Sequence, residues 1–390
     1  MLYARFLVIL ADKMKLMARF KYYILTFCFT LASTLCYGQK ITLGSCNTKD
    51  GGLYNGEMAA GKPHGKGKTV YKNGDWYEGD YVKGKRQGYG VYSFSDGERY
   101  EGQWFQDQQH GKGVFYFMNN NKYDGLWFRD YQEGEGTMYY YNGDKYEGQW
   151  KQDKRVGEGT YIFSSGAYYK GRWDNDMKNG EGVFYWADGS SYSGGWKDNE
   201  KNGKGTFKYA DGSVYSGMWL NDLQHGKGIY KFMNGDVYEG DYAKGERTGT
   251  GIFRYANGDI YTGQFQNGYK QGQGTLTWHF GDIYIGQWKA DMPNGTGKLR
   301  TKKGDEYEGQ FANGMIDGQG IARYADGSKF KGSFAKGKRN GSAIEEDKDG
   351  NRFEGSYLDD QRHGPFVEKD RNGKVTAQGT YNKGRKQLNK

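Results

Sequence analysis

The sequence predicts an all-β fold, an elongated solenoid or ribbon of about fourteen stacked 23-residue β-hairpins, and three observations carry that reading. The first is a frame that never slips. An aromatic leads each unit at Tyr54, Tyr77, Tyr100, Tyr123, Tyr146, Tyr169, Tyr192, Tyr215, Tyr238, Tyr261, Tyr284, Tyr307, Phe330 and Phe353. Glycine follows two and eleven residues later in every unit, and thirteen later in the first twelve. Four residues after the lead comes a second large side chain, as in Tyr81, Trp104, Trp127, Trp150, Trp173, Trp196, Trp219, Tyr242, Phe265 and Trp288. The second observation is an Asx-Gly pair just before the lead aromatic, as at Asn73-Gly74, Asp96-Gly97 and Asn234-Gly235. Between β-branched and aromatic runs this is a strong hairpin signal, because glycine takes φ > 0 without a steric cost. The third is composition. Gly is 66 of 390 residues and aromatics are 17%; disordered Gly-rich chains are poor in rings, whereas each ring here can bury roughly 150–250 Å². Helix is excluded across the array, since repeated interior Gly would cost about 1 kcal/mol apiece.

Taken in order, residues 1–38 differ in kind. A basic stretch, Lys13 to Lys21, precedes the apolar run Tyr22–Tyr37, and Cys36 and Gly38 stand at −3 and −1 of a cleavage before Gln39. This is the layout of a secretory signal. The run falls short of the ~20 residues a spanning helix needs, although an uncleaved N-terminal anchor is the alternative. Residues 39–50 are read as an N-terminal cap, 51–364 as the solenoid, and 365–390 as a degenerate repeat and tail. Cys28 and Cys36 fall in the leader, so Cys46 stands alone and no intramolecular disulfide is expected.

Within each unit, the strand before the Asx-Gly turn alternates, as in Thr160-Tyr161-Ile162-Phe163, and the YEGxW segment forms the strand after it. The GxG-ended segment is read as the link to the next hairpin. The glycine two after the lead sits between two large rings, which suggests room for a neighbouring ring or backbone. Whether the two aromatic ladders share a face depends on a two- or three-residue turn, and the sequence leaves that open. The frame decays at the end: Ala343 and Phe366 replace the second glycine, and Gly379-Thr380-Tyr381 is a remnant one residue out of phase.

The string YxGxW, then GxG, then an Asx-Gly turn, every 23 residues over about 50–364, resembles the MORN (membrane occupation and recognition nexus) repeat. The piece Arg371–Arg385 resembles a looser variant found in bacterial secreted proteins, which points to an exported bacterial member. The resemblance implies a hairpin solenoid with a grooved, aromatic-rich face that serves as a binding or assembly scaffold. Some members associate with membranes or acidic phospholipids, and others act through protein contacts or dimerisation. Lipid kinases of plants and one lysine methyltransferase class carry such repeats ahead of a catalytic domain; nothing in these 390 residues implies that activity.

His64, His110, His225 and His363 all stand ten after the lead, at least two units apart. They are therefore too far apart to share an ion, whose ligands lie about 2 Å from it. Gly79–Arg86 and Gly332–Arg339 approach a phosphate loop but lack the Ser/Thr after Lys and the following helix. Asp347-Lys348-Asp349-Gly350 opens like a calcium loop whose twelfth position is Ser356. No catalytic, cofactor or metal residues are expected, and no small-molecule substrate is evident. The formal charge of +9 is spread in mixed-sign runs such as Lys151–Arg155, a solvated rim that disfavours nucleic acid as partner. The function expected is a non-catalytic exported scaffold for protein interaction or self-association. Anionic lipid or membrane is the alternative, and a glycan or wall binder using the Trp ladder is a weaker one. The ladder itself is read chiefly as packing.

Overall fold

The computed structural model describes residues 40–388, so the segment read as a signal or anchor lies outside the described residues. Among the described residues there are 32 β-strands and no helix. They fall into two compact units, one up to Glu133 and one from Gly134 on. In each, consecutive strands pair antiparallel with their chain neighbours.

One repeat shows why. Arg99–Phe105 alternates apolar and polar, burying Tyr100, Gly102 and Trp104 on one face while Gln103 and Phe105 face out. It turns at Gln106-Asp107, both at positive φ (50° and 75°), into the nine-residue strand Gln108–Tyr116. Two consecutive left-handed residues make the tight turn whose twist matches the flanking strands. The GxG segment is therefore not a linker, as the sequence reading had it. It lies inside this strand, so each repeat carries two reversals, and the Gln-Asp one lacks the glycine that would have marked it. A β-bulge between Gly102 and Trp104 gives the second strand its extra length. Gly111, at φ +61, occupies the bulge, and this conformation accounts for glycine eleven after every lead.

The Asx-Gly reversal has three loop residues. Phe94 N–H bonds Glu98 O at 2.9 Å, Gly97 N–H bonds Phe94 O at 3.1 Å, and Gly97 takes φ +99. Three residues keep Tyr92 and Tyr100 directly opposed on one face, which resolves the parity left open by the sequence. Lead and +4 aromatics form one buried layer.

That layer is a herringbone. In the first unit Tyr77 meets Trp104 edge-on at 5.3 Å, Trp104 meets Tyr100 at 5.2 Å, and Tyr100 meets Trp127 at 5.4 Å. The second unit continues the pattern from Tyr146 and Trp173 through Tyr169, Trp196, Tyr192 and Trp219. Edge-to-face pairs add about 0.5–1.5 kcal/mol each beyond the area they bury. The Tyr100 ring lies across two glycines. A Cβ on Gly113 would sit 2.5 Å from Tyr100 Cε2, and one on Gly102 2.7 Å from Tyr100 Oη. The glycines are there because the ring takes the space. The Tyr100 hydroxyl donates to Gln103 O at 2.9 Å, and the indole N–H of Trp104 donates to Gly90 O of the preceding repeat at 3.2 Å. Buried polar ends are thereby satisfied.

Side chains also tie one repeat to the next. In the second unit Asp144 accepts the Ser164 N–H at 2.8 Å and the Tyr161 hydroxyl at 2.7 Å. Burial opposes ionisation there, yet these donors hold its carboxyl below the usual range. At the C-terminal end the ring pattern gives way to ions: Glu345 takes a ring position and pairs with Arg362 at 2.8 Å. Phe366, in place of glycine, stacks on Phe353 at 6.0 Å, and the remnant residue Tyr381 meets Phe353 edge-on. The segment read as an N-terminal cap contains the strand Thr42–Asn47, paired with Leu53–Ala59.

Candidate binding surface

The two faces of the sheet are chemically unlike. The face with the aromatic ladder is closed by its own rings. Among the ladder residues, Tyr81, Trp104, Trp127, Trp150, Trp173, Trp196, Trp219, Tyr242, Phe265 and Trp288 are at most 7% exposed, and the lead rings at most 4%. The structure places these residues together as a packed layer. A row of cations nine residues after the lead, which the sequence reading did not single out, rests on it. Arg155 lies 4.4 Å from the Trp173 ring centre, and Lys178 lies 4.1 Å from Trp196, 5.1 Å from Phe184 and 5.7 Å from Tyr169. Burial pushes the Lys178 ammonium down to about 8, against the pull of Asp222, with Lys201 lowering it further. Their signal was a basic or amide residue at +9 in most repeats.

The other face is open. Strand alternation sends the residues at +1, +3, +12 and +14 to it; between these rows runs a strip of backbone, that of the glycines at +2 and +13, whose side-chain positions point to the rings on the opposite face. The strip is continuous, because the glycines pair strand to strand: Gly182 with Gly194, Gly194 with Gly205, Gly205 with Gly217, Gly217 with Gly228, Gly228 with Gly240. In the second unit it floors a groove of about 1130 Å³ between Glu181 and Gln273. One wall is Ser193, Thr206, Ser216, Ile229, Glu239 and Ile252; the other includes Glu181, Lys204, Lys227 and Thr250. Charge is balanced, with Lys227 paired to Asp241 at 2.7 Å. The first unit carries a smaller stretch, about 550 Å³, bordered by Trp76 and Tyr89.

A further regularity governs the second wall. The bulge frees the backbone N–H twelve after the lead, and the side chain at +3 folds over to accept it. Glu57 takes Lys66 N–H at 3.0 Å, Asp80 takes Tyr89 at 3.0 Å, and Gln103 takes Lys112 at 3.2 Å. In the second unit Asp241, Gln264, Gln287 and Gln310 do the same at 2.8–3.0 Å. Acidic or amide residues three after the lead were visible in the sequence; the bulge that gives them a task was not.

Among the described residues no group of three His, Cys, Asp or Glu is placed to hold a metal ion.

The period, the ring-over-glycine packing and the paired reversals define a repeat protein of the hairpin-ribbon class. The MORN repeat model matches fourteen times without interruption of phase, from 54–76 through 353–374, and the chain belongs to the MORN repeat family. The matching model is that of a structural repeat, and the chain is a repeat scaffold. No curated protein matches the chain. Solved structures overlap it weakly. The SAS-4 (dCPAP) TCP domain of Drosophila melanogaster, in complex with a proline rich motif of Ana2 (dSTIL), is 16% identical, covers 46% of this chain and 85% of its own, and has a TM-score of 0.22. The TCP10 domain of Danio rerio CPAP with a STIL peptide is 12% identical over 81% and 99%, TM-score 0.18. A streptogramin B lyase is 12% identical over 74% and 89%, TM-score 0.13. Overlaps of this quality carry no argument.

Proposed function

We propose that the chain is an exported, non-catalytic scaffold that binds or assembles protein partners along the glycine-floored face of its sheet. The observation that carries this is the contrast between faces. The rings are consumed by internal packing, whereas the open groove offers backbone, hydroxyls and balanced charge over several repeats. Such a surface suits an extended chain laid across many weak contacts. A glycan reading through stacked Trp would need ring faces that are here turned into the layer. Export rests on the leader-like residues 1–38, and N-terminal sequencing of the secreted product should begin at Gln39. The interaction reading is tested by cross-linking intact chain in envelope extract, beside a variant with Thr206→Arg and Ser216→Arg filling the groove. A stoichiometric protein partner or self-assembly that the variant loses is the expected result. If only anionic vesicles retain the chain, the membrane reading replaces it.

A further inference from the structure

The groove includes repeats in which the side-chain cap on the freed N–H is missing. In three consecutive repeats the residue at +3 offers no oxygen: Arg172, Gly195 and Met218. Their counterpart N–H groups belong to Glu181, Lys204 and Lys227, and all three residues line the groove. These donors lack the side-chain acceptor that satisfies the same position in Asp241, Gln264 and Gln287 repeats. They recur once per repeat, and two strands at 4.7–4.9 Å put them about 9.6 Å apart.

An occupant must therefore present acceptors about every 9.6 Å along one side, lie close to bare backbone, and carry little net charge. The charge condition follows from the walls. Lys227 is already paired with Asp241, Glu239 lies 3.7 Å from Arg254, and Glu181 and Lys204 stand in successive repeats of one wall. A polyanion gains nothing there. A peptide in an extended β conformation presents same-side carbonyls at about 6.8 Å, out of step with the repeat. A polyproline II helix has three residues per turn and about 3.1 Å rise, so every third carbonyl recurs at about 9.3 Å. It has no internal hydrogen bonds, which leaves those carbonyls free to accept. Ile229 and Ile252, one repeat apart on the facing wall, give its rings an apolar side.

We infer that the groove over residues 181–252 binds a neutral polyproline II peptide, with carbonyls spaced one turn apart accepting from the N–H groups of Glu181, Lys204 and Lys227. This rests on the interaction reading above and names its ligand class.

The test uses the full chain and a fluorescein-labelled nonaproline, with a Gly-Ser nonapeptide and a nona-glutamate as controls. Arg172→Gln and Met218→Gln together restore the resident cap of other repeats, closing two donors while preserving the fold. Lys331→Gln, outside the groove, is the neutral control. Saturable binding of nonaproline is expected, at least about tenfold weaker in the double variant, as loss of two hydrogen bonds requires, and unchanged in Lys331→Gln. Equal binding by the double variant, equal binding of Gly-Ser, preference for nona-glutamate, or no binding of nonaproline would each overturn the inference. Unchanged far-ultraviolet circular dichroism excludes misfolding as the cause of a loss. If nonaproline fails while the groove-filled Thr206→Arg/Ser216→Arg variant still loses its cross-linked partner, only the ligand class falls; if that cross-link is absent too, the interaction reading falls with it.

Discussion

At the scale of the residue, two glycines in one repeat are kept for different reasons. Gly205 lies under the Tyr192 ring, and a Cβ there would be 2.5 Å from Cζ. Gly203 has open space around it but a φ of +81. Gly205→Ala is expected to cost about 1–3 kcal/mol through overpacking, and Gly203→Ala about 1–2 kcal/mol through backbone strain. Urea midpoints of the two variants measure this, and Tyr192→Phe should recover part of the first loss and none of the second. Lys178 supplies a pH test. Its folded value, near 8, lies below the ordinary lysine value of about 10.4, so the unfolded chain holds the proton more tightly. Stability should therefore rise as pH climbs from about 8 toward 10, before unfolded tyrosines ionise. Denaturation of Lys178→Met across that window should show a flatter slope than the parent chain; an identical slope would place the proton elsewhere.

At the scale of the element, the strand–reversal–strand unit was largely legible. Tyr100, Gly102 and Trp104 gave the alternation, and Asp96-Gly97 gave one reversal. The second reversal carries glycine in only some repeats, as at Asn267-Gly268 and Asn313-Gly314, while Gln106-Asp107, Arg129-Asp130 and Ala290-Asp291 reach positive φ without it, which blurs its period. Asp107 holds its turn by accepting Arg86 N–H at 2.8 Å from the previous repeat, a contact across 21 positions that local pattern cannot show. The groove was illegible for a related reason. Glycines at +2 and +13 become one strip only after the bulge sets the cross-strand register. The rings that sequence marked for binding or packing went to packing, because glycine beneath them lets them lie flat. Ala290, at φ +49, bears avoidable strain; Ala290→Asn should stabilise by several tenths of a kcal/mol up to about 1, read as a higher melting midpoint.

At the scale of the molecule, the period is the unit of construction. Excision of one whole repeat from the second unit, Tyr192–Val214, brings equivalent residues together across the junction and preserves ring-over-glycine register. The shortened chain is expected to keep its strand content per residue by circular dichroism. Excision of one residue fewer turns every following side chain to the other face and should abolish the cooperative transition. The whole-repeat deletion also removes one uncapped donor, at Lys204, so it should weaken nonaproline binding while leaving the fold intact.

The strand-to-strand order within the second unit has a mechanical consequence. Neighbours in the sheet are neighbours in the chain, so tension applied between the ends of that unit runs along its interstrand hydrogen bonds and opens them one ladder at a time. Such a sheet yields by peeling at modest load, where a sheet loaded in shear must break many bonds at once. Optical-tweezer extension should release the chain in steps of one 23-residue repeat, each reversible because the next repeat remains as a template. Anchored between two partners, the scaffold would act as an extensible tether whose length reports the force across it.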